Sequence, residues 1–387
     1  MLLGIFTIMY VMTLAMQVFV PYIVRETIVF GVTVPEQNIK HSALALAKKR
    51  YAQTVGLFGV LILILMLMLN WSLAPSESAQ GILLLSCLFG MLAISMVLYW
   101  LNHQKVMKLK IREQWGMNIK QVRAVDLTAR SRDEMLPWPF YVVPIGVTIF
   151  LIIFTLLHYS QIPNAVAVHW GPSGAADAWR EKTYFIAISL PLVMLMMQCM
   201  MWGTADSLKR SAIRMSINRQ QESLENELKT RKFMSWNIAL ISYSLTALLT
   251  ILQLSNIYPS MAEGNKLLPF FIAFLFLILG SVLVYAWKKR QLRLKYEDNV
   301  VSEVMDIDED RYWKGGLIYM NRQDPSVFVE KRFGVGWTMN FANPRGYIVI
   351  VLPLLILLLI SIISFWCQSP EQYPNNSDNL GWRALVY

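Results

Sequence analysis

The chain has 387 residues, a formal net charge of +10, and 56% hydrophobic against only 16% charged residues. Soluble domains usually carry about 25% charged residues, so this composition excludes an ordinary soluble enzyme and points to a membrane class. The three cysteines add neither a metal spacing nor a disulfide framework, because Cys87 and Cys199 sit inside apolar blocks and Cys367 follows the last one.

Eight apolar blocks follow one another along the chain, at 2–23, 54–74, 81–101, 139–158, 184–203, 234–254, 268–287 and 347–366, and none contains Asp, Glu, Lys or Arg. Each is close to the ~20 residues that cross a ~30 Å hydrocarbon core at ~1.5 Å per residue. Lipid offers no hydrogen bonds to the backbone, so such segments must be helices. The expected fold is an all-α integral membrane protein with about eight transmembrane helices. The first block has no basic stretch before it and no small-residue cleavage site after it, so it reads as a retained helix rather than a signal peptide.

The segments after the first, third, fifth and seventh blocks hold 5, 8, 7 and 11 of the 35 Lys and Arg residues, and those after the second, fourth, sixth and eighth hold 0, 2, 1 and 1. Under the positive-inside rule the first set is cytoplasmic, which puts both termini outside a bacterial plasma membrane. The positive charge is then a topology signal beside anionic headgroups, and nucleic acid is not an expected partner.

The first cytoplasmic segment, 24–53, has an extended Gly31-Val32-Thr33-Val34 stretch leading into a helix start at Pro35-Glu36. Leu44, Leu46, Ala47 and Tyr51 beside Lys48, Lys49 and Arg50 suggest an amphipathic helix at the membrane surface. Segments 102–138 and 204–233 read as helical extensions of the spans, the second with Ser216 to Lys232 mixing acidic and basic residues and Glu225 and Lys229 at i and i+4.

The external segment 159–183 carries Ile162-Pro163-Asn164, then Val168-His169-Trp170-Gly171-Pro172-Ser173-Gly174, then Asp177, Trp179 and Lys182. Ala165 to Trp170 suits a short strand, and the Gly-Pro-Ser-Gly string demands a turn. His169 with Asp177 is a candidate ligand or metal pair, although a His beside Trp is more often a hydrogen-bonded structural group.

Segment 288–346 opens with a basic run from Lys288 to Lys295 and an acidic run from Asp306 to Asp310. Three β-like pieces follow, Leu317–Met320, Ser326–Arg332 and Trp337–Phe341, the last two joined by Gly334-Val335-Gly336 as a hairpin connection. This is a small β-rich cytosolic module; no strand–loop–helix follows the glycines, so they mark a turn rather than a phosphate site. The organisation is thus 1–138, an N-terminal membrane region; 139–203, a two-helix unit with its external loop; 204–287, a connecting region with two spans; 288–346, the cytosolic module; and 347–387, the last span with an external tail.

The external string, through Ile162, Pro163, His169, Trp170, Gly174, Asp177 and Lys182, resembles the loop of an uncharacterised bacterial membrane domain that also occurs in the SdpI-type toxin-immunity family. The match covers roughly 139–203, and Gly171 stands where that pattern often has Asn. The module is similar to a second small domain of unknown function through Trp313, Gly316, Tyr319, Asn321, Asp324-Pro325, Val329, Gly336, Trp337 and Asn340. The resemblance implies protection against a membrane-directed toxin, with signalling to a cytosolic regulator.

Three classes of function compete. The expected one is a non-enzymatic receptor, immunity or envelope-stress protein. A toxin peptide, lipid or other envelope ligand would meet His169, Trp170, Asp177, Trp179 and Lys182, with Gly171, Pro172 and Gly174 shaping the loop. Trp313, Tyr319, Asn321, Trp337 and Asn340 would form the module's core or its docking face for a regulator. The alternative is an uncoupled transporter or flippase for lipids or small molecules. No span holds the ionisable groups of an ion-coupled carrier; Gln17, Asn70, Gln198 and Asn237 suit interhelical hydrogen bonds, while Pro144 and Pro191 mark kinked or broken helices. A membrane enzyme is not expected, nor a cofactor or resident metal. Neither a Gly-x-Ser-x-Gly elbow nor a His-Glu-x-x-His motif occurs, and His158, His169, Asp177 and Glu181 make a weak ligand set.

Overall fold

The structure is a computed structural model that describes residues 2–117, 120–122, 129–171, 174–213, 215, 220–263, 266–294, 304–334 and 336–366. Pro172 and Ser173 of the external turn, Val335 of the module hairpin, Ser216, Lys295, Cys367 and the C-terminal tail lie outside the described residues.

Among the described residues eight helices are long and apolar enough to cross a membrane. They are built on α1 (Leu2–Ile23), α2 (Ser42–Leu73), α3 (Glu77–Arg112), α4 (Pro139–Leu157), α5 (Tyr184–Arg210), α6 (Gln220–Ile257), α7 (Leu268–Leu294) and a final span in which α8 (Pro344–Gly346), a π-helical stretch Tyr347–Val351 and α9 (Leu352–Trp366) run on from one another. Local chemistry sets several of the ends. Ser76 caps α3 by accepting from the Ala79 N–H, Thr183 caps α5 by accepting from the Ile186 N–H, and Pro139 opens α4 where its missing N–H costs nothing. Helices α1, α2 and α3 pack on one another, α4, α5 and α6 form a second group, α7 lies against α6 and α1, and α9 lies against α5.

The surface helix expected around Lys48-Lys49-Arg50 is corrected. These residues are the opening turns of α2, which runs unbroken from Ser42 to Leu73. Leu44 and Tyr51 are buried in the α1–α3 core, where the Tyr51 ring meets Phe30 at 5.4 Å. Leu44, Ala47 and Tyr51 are therefore spent on protein while Leu46 stays exposed, and the helix runs on into the span.

The extended stretch after α1 forms a hairpin, β1 (Ile28–Val29) with β2 (Val32–Thr33), turning at Phe30 and Gly31, both at positive φ. A single 3₁₀ turn follows at Glu36–Asn38. Beyond α3, β3 (Lys120–Val122) pairs in parallel with β6 (Val304–Asp306) after α7. The β-rich module then adds β7 (Trp313–Lys314) against β8 (Ile318–Tyr319), and β9 (Phe328–Glu330) against β10 (Trp337–Met339). A bridge from Tyr319 to Asn340 joins the two hairpins.

Polar contacts place the four basic segments on one face. Arg25 after α1, Lys110 at the end of α3, Glu227 near the start of α6 and Lys289 in the last turns of α7 all take part in ion pairs that reach the module or its partners. The hairpin between α4 and α5, formed by β4 (Ala165–Trp170) and β5 (Ala176–Glu181), and the α6–α7 connection occupy the other end, where a Cβ added to Gly174 would lie 3.1 Å from Leu268 N.

Candidate functional site

The segment between α4 and α5 is a β-hairpin of β4 (Ala165–Trp170) and β5 (Ala176–Glu181), with the register shifting around His169. The turn closes through Gly171 N–H to Ala175 O and Gly174 N–H to Gly171 O, and Gly174 adopts φ +82, a region open to glycine at little cost. His169 and Asp177 come together across the hairpin: His169 Nδ1 lies 2.5 Å from Asp177 Oδ1, and the side chains are 67% and 50% exposed. Gly171 leaves room beside them, since a Cβ there would sit 3.1 Å from Asp177 Oδ2.

The other expected residues of this loop are occupied by the fold. Trp170 is half-buried against Leu248, Leu252 and Leu267, and Trp179 is half-buried in β5. Lys182 donates to Ile162 O at 2.7 Å and lies over the Tyr159 ring, so it ties the strand end to the end of α4 rather than standing free for a ligand. His158 stacks on Phe154 and bonds its carbonyl oxygen, so it does not join His169. Among the described residues no group of three His, Cys, Asp or Glu side chains is placed to hold a metal ion.

What holds the hairpin is α6. Asn256 accepts from the Ala167 N–H and donates to the Ala167 carbonyl, at 3.1 and 3.0 Å, covering that edge of β4. Pro144 in α4 and Pro191 in α5 each lack the N–H that would bond the carbonyl four residues earlier. Those carbonyls belong to Phe140 and Ala187, and α6 answers both: Tyr243 Oη donates to Phe140 O at 3.0 Å and Gln253 Nε2 to Ala187 O at 2.9 Å. A neighbouring helix that supplies donors for freed carbonyls is the condition under which proline is tolerated in a span.

Between these two points Gln198 bridges the three helices, accepting from Thr148 of α4 at 2.8 Å and donating to Thr246 of α6 at 2.7 Å. Three of the four polar span residues singled out in the sequence make interhelical contacts: Gln198 here, Gln17 with Ser95, and Asn70 with Gln80. The sequence reading missed Asn256, Gln253 and Tyr243. A periodic signal was present, since Ser235, Ser242, Thr246, Gln253 and Asn256 recur at three- to seven-residue steps on one side of a single helix.

The opposite end of α6 is charged. Arg231 is 0% exposed, donates to Asp133 Oδ2 at 2.9 and 3.1 Å, and also reaches Ser211 Oγ and the Leu208 carbonyl in the last turn of α5, where a cation suits the helix dipole. Glu227, one turn earlier, pairs with Arg25; Arg25 pairs with Glu330 of β9 at 2.7 Å, and Glu330 pairs with Lys289 of α7.

A second buried cluster fastens the module to the β1–β2 hairpin and α3. Asp310 pairs with Lys110 and Arg332 and accepts from the Thr33 N–H and hydroxyl, while Arg332 also donates to Gly31 O. Burial pushes the Asp310 carboxyl towards protonation, but Arg332, Lys110 and the Thr33 bond outweigh it and hold the group below the usual carboxylate range. Gly31 and Gly316 nearly touch here, a Cβ on the first lying 2.7 Å from the Cα of the second, so neither position has room for a side chain.

The residues expected to dock a partner are mostly inside the module. Trp313 and Tyr319 are core, and Asn340 is fully buried, accepting from the Asn321 N–H and donating to the Asn321 and Asp324 carbonyls. Asn321 donates to the Tyr319 hydroxyl. Trp337 is half-buried and packs against the cluster of Met135, Leu136 and Tyr141. These side chains define the module's shape, and a docking face has to be sought elsewhere on it.

Two family models match parts of the chain. A domain of unknown function (DUF1648) matches residues 146–195, which takes in most of α4, the β4–β5 hairpin and the first part of α5. A family of unknown function (DUF5808) matches residues 322–347, which takes in the β9–β10 hairpin and the start of the last span. No curated protein and no solved structure matches the chain. The two matched regions are those that α6 joins, and both are consistent with an uncharacterised membrane family.

Proposed function

We propose that this is a non-enzymatic receptor or immunity protein of a bacterial plasma membrane. It meets an envelope-active peptide or lipid at the β4–β5 hairpin and reports through the β-rich module to a cytosolic regulator. In this reading the basic face is cytosolic and both termini are outside, in keeping with the partition of Lys and Arg between alternate segments.

The observation that carries the proposal is the reach of α6. One helix grips the hairpin through Asn256 and, near its other end, enters the ion-pair cluster of the module through Glu227. At ~1.5 Å per residue, the 29 residue steps from Glu227 to Asn256 span about 44 Å. A ligand that displaced the hairpin would act on a rod whose far end is fastened to Arg25 and, through it, to Glu330. The exposed His169–Asp177 pair is the surface for that ligand, while Trp170, Trp179, Lys182, Gly171 and Gly174 keep the shape of the hairpin. The likeness of this loop to the SdpI-type immunity family favours a membrane-directed toxin as the ligand.

The test is a deletion strain challenged with a panel of envelope-active peptides and antibiotics and complemented with wild-type or His169→Ala protein at equal abundance. The proposal expects selective sensitivity that wild type rescues and the variant does not. Unchanged sensitivity across the panel would overturn it, and lipid composition would then be measured to test transport.

A further inference from the structure

The hydrogen-bonding seam of α6 leaves two polar atoms unanswered near the hairpin. Gln253 is 1% exposed, and its amide nitrogen is fully used, donating to Thr155 Oγ1 at 3.1 Å and Ala187 O at 2.9 Å. The amide cannot be turned over, because Pro191 leaves Ala187 O without its helical donor and a flipped amide would set oxygen against oxygen. Gln253 Oε1 therefore remains an acceptor, and it is buried with no donor among the side chains and backbone around it. Thr250 stands one turn earlier on the same side of α6, and its Oγ1 is buried and unpartnered as well. Both lie within about two turns of Asn256, which fastens the hairpin. An acceptor without a donor is costly in a low-dielectric interior.

We propose that the hairpin end of the α4–α5–α6 interface is a binding site for an uncharged hydrogen-bond donor, held by Gln253 Oε1 and Thr250 Oγ1 and covered by the β4–β5 hairpin. No charged side chain takes part in the hydrogen bonding of Gln253 or Asn256, so the site selects a neutral donor, either water or a hydroxyl-bearing molecule entering under the hairpin. The inference is independent of the receptor reading. It predicts a hydrated spot where apolar composition alone implies a dry bundle.

The test uses the full-length protein in lipid nanodiscs with Cys87, Cys199 and Cys367 replaced by Ser. Thr250→Cys and, as a lipid-facing control on the same helix, Leu240→Cys are exposed to a small water-soluble methanethiosulfonate. Only a thiolate reacts, and a thiolate needs water, so Thr250→Cys is expected to react at least about tenfold faster than Leu240→Cys. Slowing of that reaction by glycerol assigns the site to hydroxyl-bearing ligands; indifference to glycerol assigns it to water, and either result supports the proposal. Equal, slow modification of both thiols would overturn it.

Thr250→Val gives a second measurement that does not depend on a thiol being tolerated. A hydroxyl bonded to a resident donor makes this near-isosteric change lower the thermal midpoint by a few degrees. An unchanged or raised midpoint would mean that Thr250 Oγ1 has no donor and that the site is dry.

Discussion

Asn256 of α6 holds Ala167 of β4 at both backbone atoms, though 89 residues separate them in sequence. A single side-chain amide thus takes the part of a neighbouring strand and makes a two-stranded hairpin, marginal by itself in water, a fixed part of the helical bundle. The same helix supplies the donors that proline removed from α4 and α5.

Removing the Asn256 clamp should free the hairpin without unfolding the bundle. Asn256→Ala leaves the Ala167 N–H and carbonyl without partners, a loss of about 1–3 kcal/mol for each group that stays buried. Hydrogen exchange should show faster exchange of the Ala167 amide, by about tenfold for every 1.4 kcal/mol lost, with the amides of α1–α3 unaffected.

The link between Gln253 and Pro191 predicts a non-additive pair. Gln253→Leu strands the Ala187 carbonyl and should destabilise. In a Pro191→Ala background the backbone N–H of position 191 can take that carbonyl, and the same substitution should cost less. A double-mutant cycle on thermal or denaturant unfolding in detergent should give a coupling of about 1 kcal/mol. Additive effects would mean that Gln253 does not compensate for the proline.

Arg231 and Asp133 should be the most sensitive charged pair among the described residues. Both side chains are nearly inaccessible, at 0% and 4% exposure. Arg231→Met leaves the Asp133 carboxylate buried without its cation, and breaking a buried pair from one side costs about 3–5 kcal/mol. A large drop in thermal midpoint is expected, smaller when Asp133 is replaced by Leu in the same chain.

Acid should loosen the module from α3 and the β1–β2 hairpin. The Asp310 carboxyl ionises more readily in the folded protein than in the unfolded chain, so its ionised form stabilises the fold. That contribution is fully present above the ordinary Asp range near ~3.9 and is lost as pH falls through the lower folded value. Asp310→Asn should lower the thermal midpoint at neutral pH and flatten its fall below about pH 4, measured on the detergent-solubilised protein.

His169→Ala should leave stability within about 0.5 kcal/mol, as expected for an exposed substitution, since the imidazole is 67% exposed and its carboxylate partner is half-exposed. Loss of complementation with an unchanged thermal midpoint would therefore report on ligand contact rather than folding.

The number of spans was written in the sequence itself. A block of about 20 residues without charge admits few structures in lipid other than a helix, and eight such blocks occur. The basic segments that alternate with them gave the pairing of faces, and the ion pairs of Arg25, Lys110, Glu227 and Lys289 gather at one end as that pattern expects. Local chain chemistry was legible in part, in the extended Val32–Thr33 of the Gly31–Val34 stretch and the strands on either side of Gly334 and Gly336, while the pairing of Val32–Thr33 with Ile28–Val29 was not. Partners distant in sequence were not. Lys48, Lys49 and Arg50 fit a surface helix as well as the opening turns of a span, and only the packing of Leu44 and Tyr51 against the α1–α3 core decided between them. Asn256, Gln253 and Tyr243, all on α6, were not singled out by the sequence. Their roles depend on which carbonyls Pro144 and Pro191 free and which helix lies within hydrogen-bonding distance, and that is a property of the assembled bundle alone.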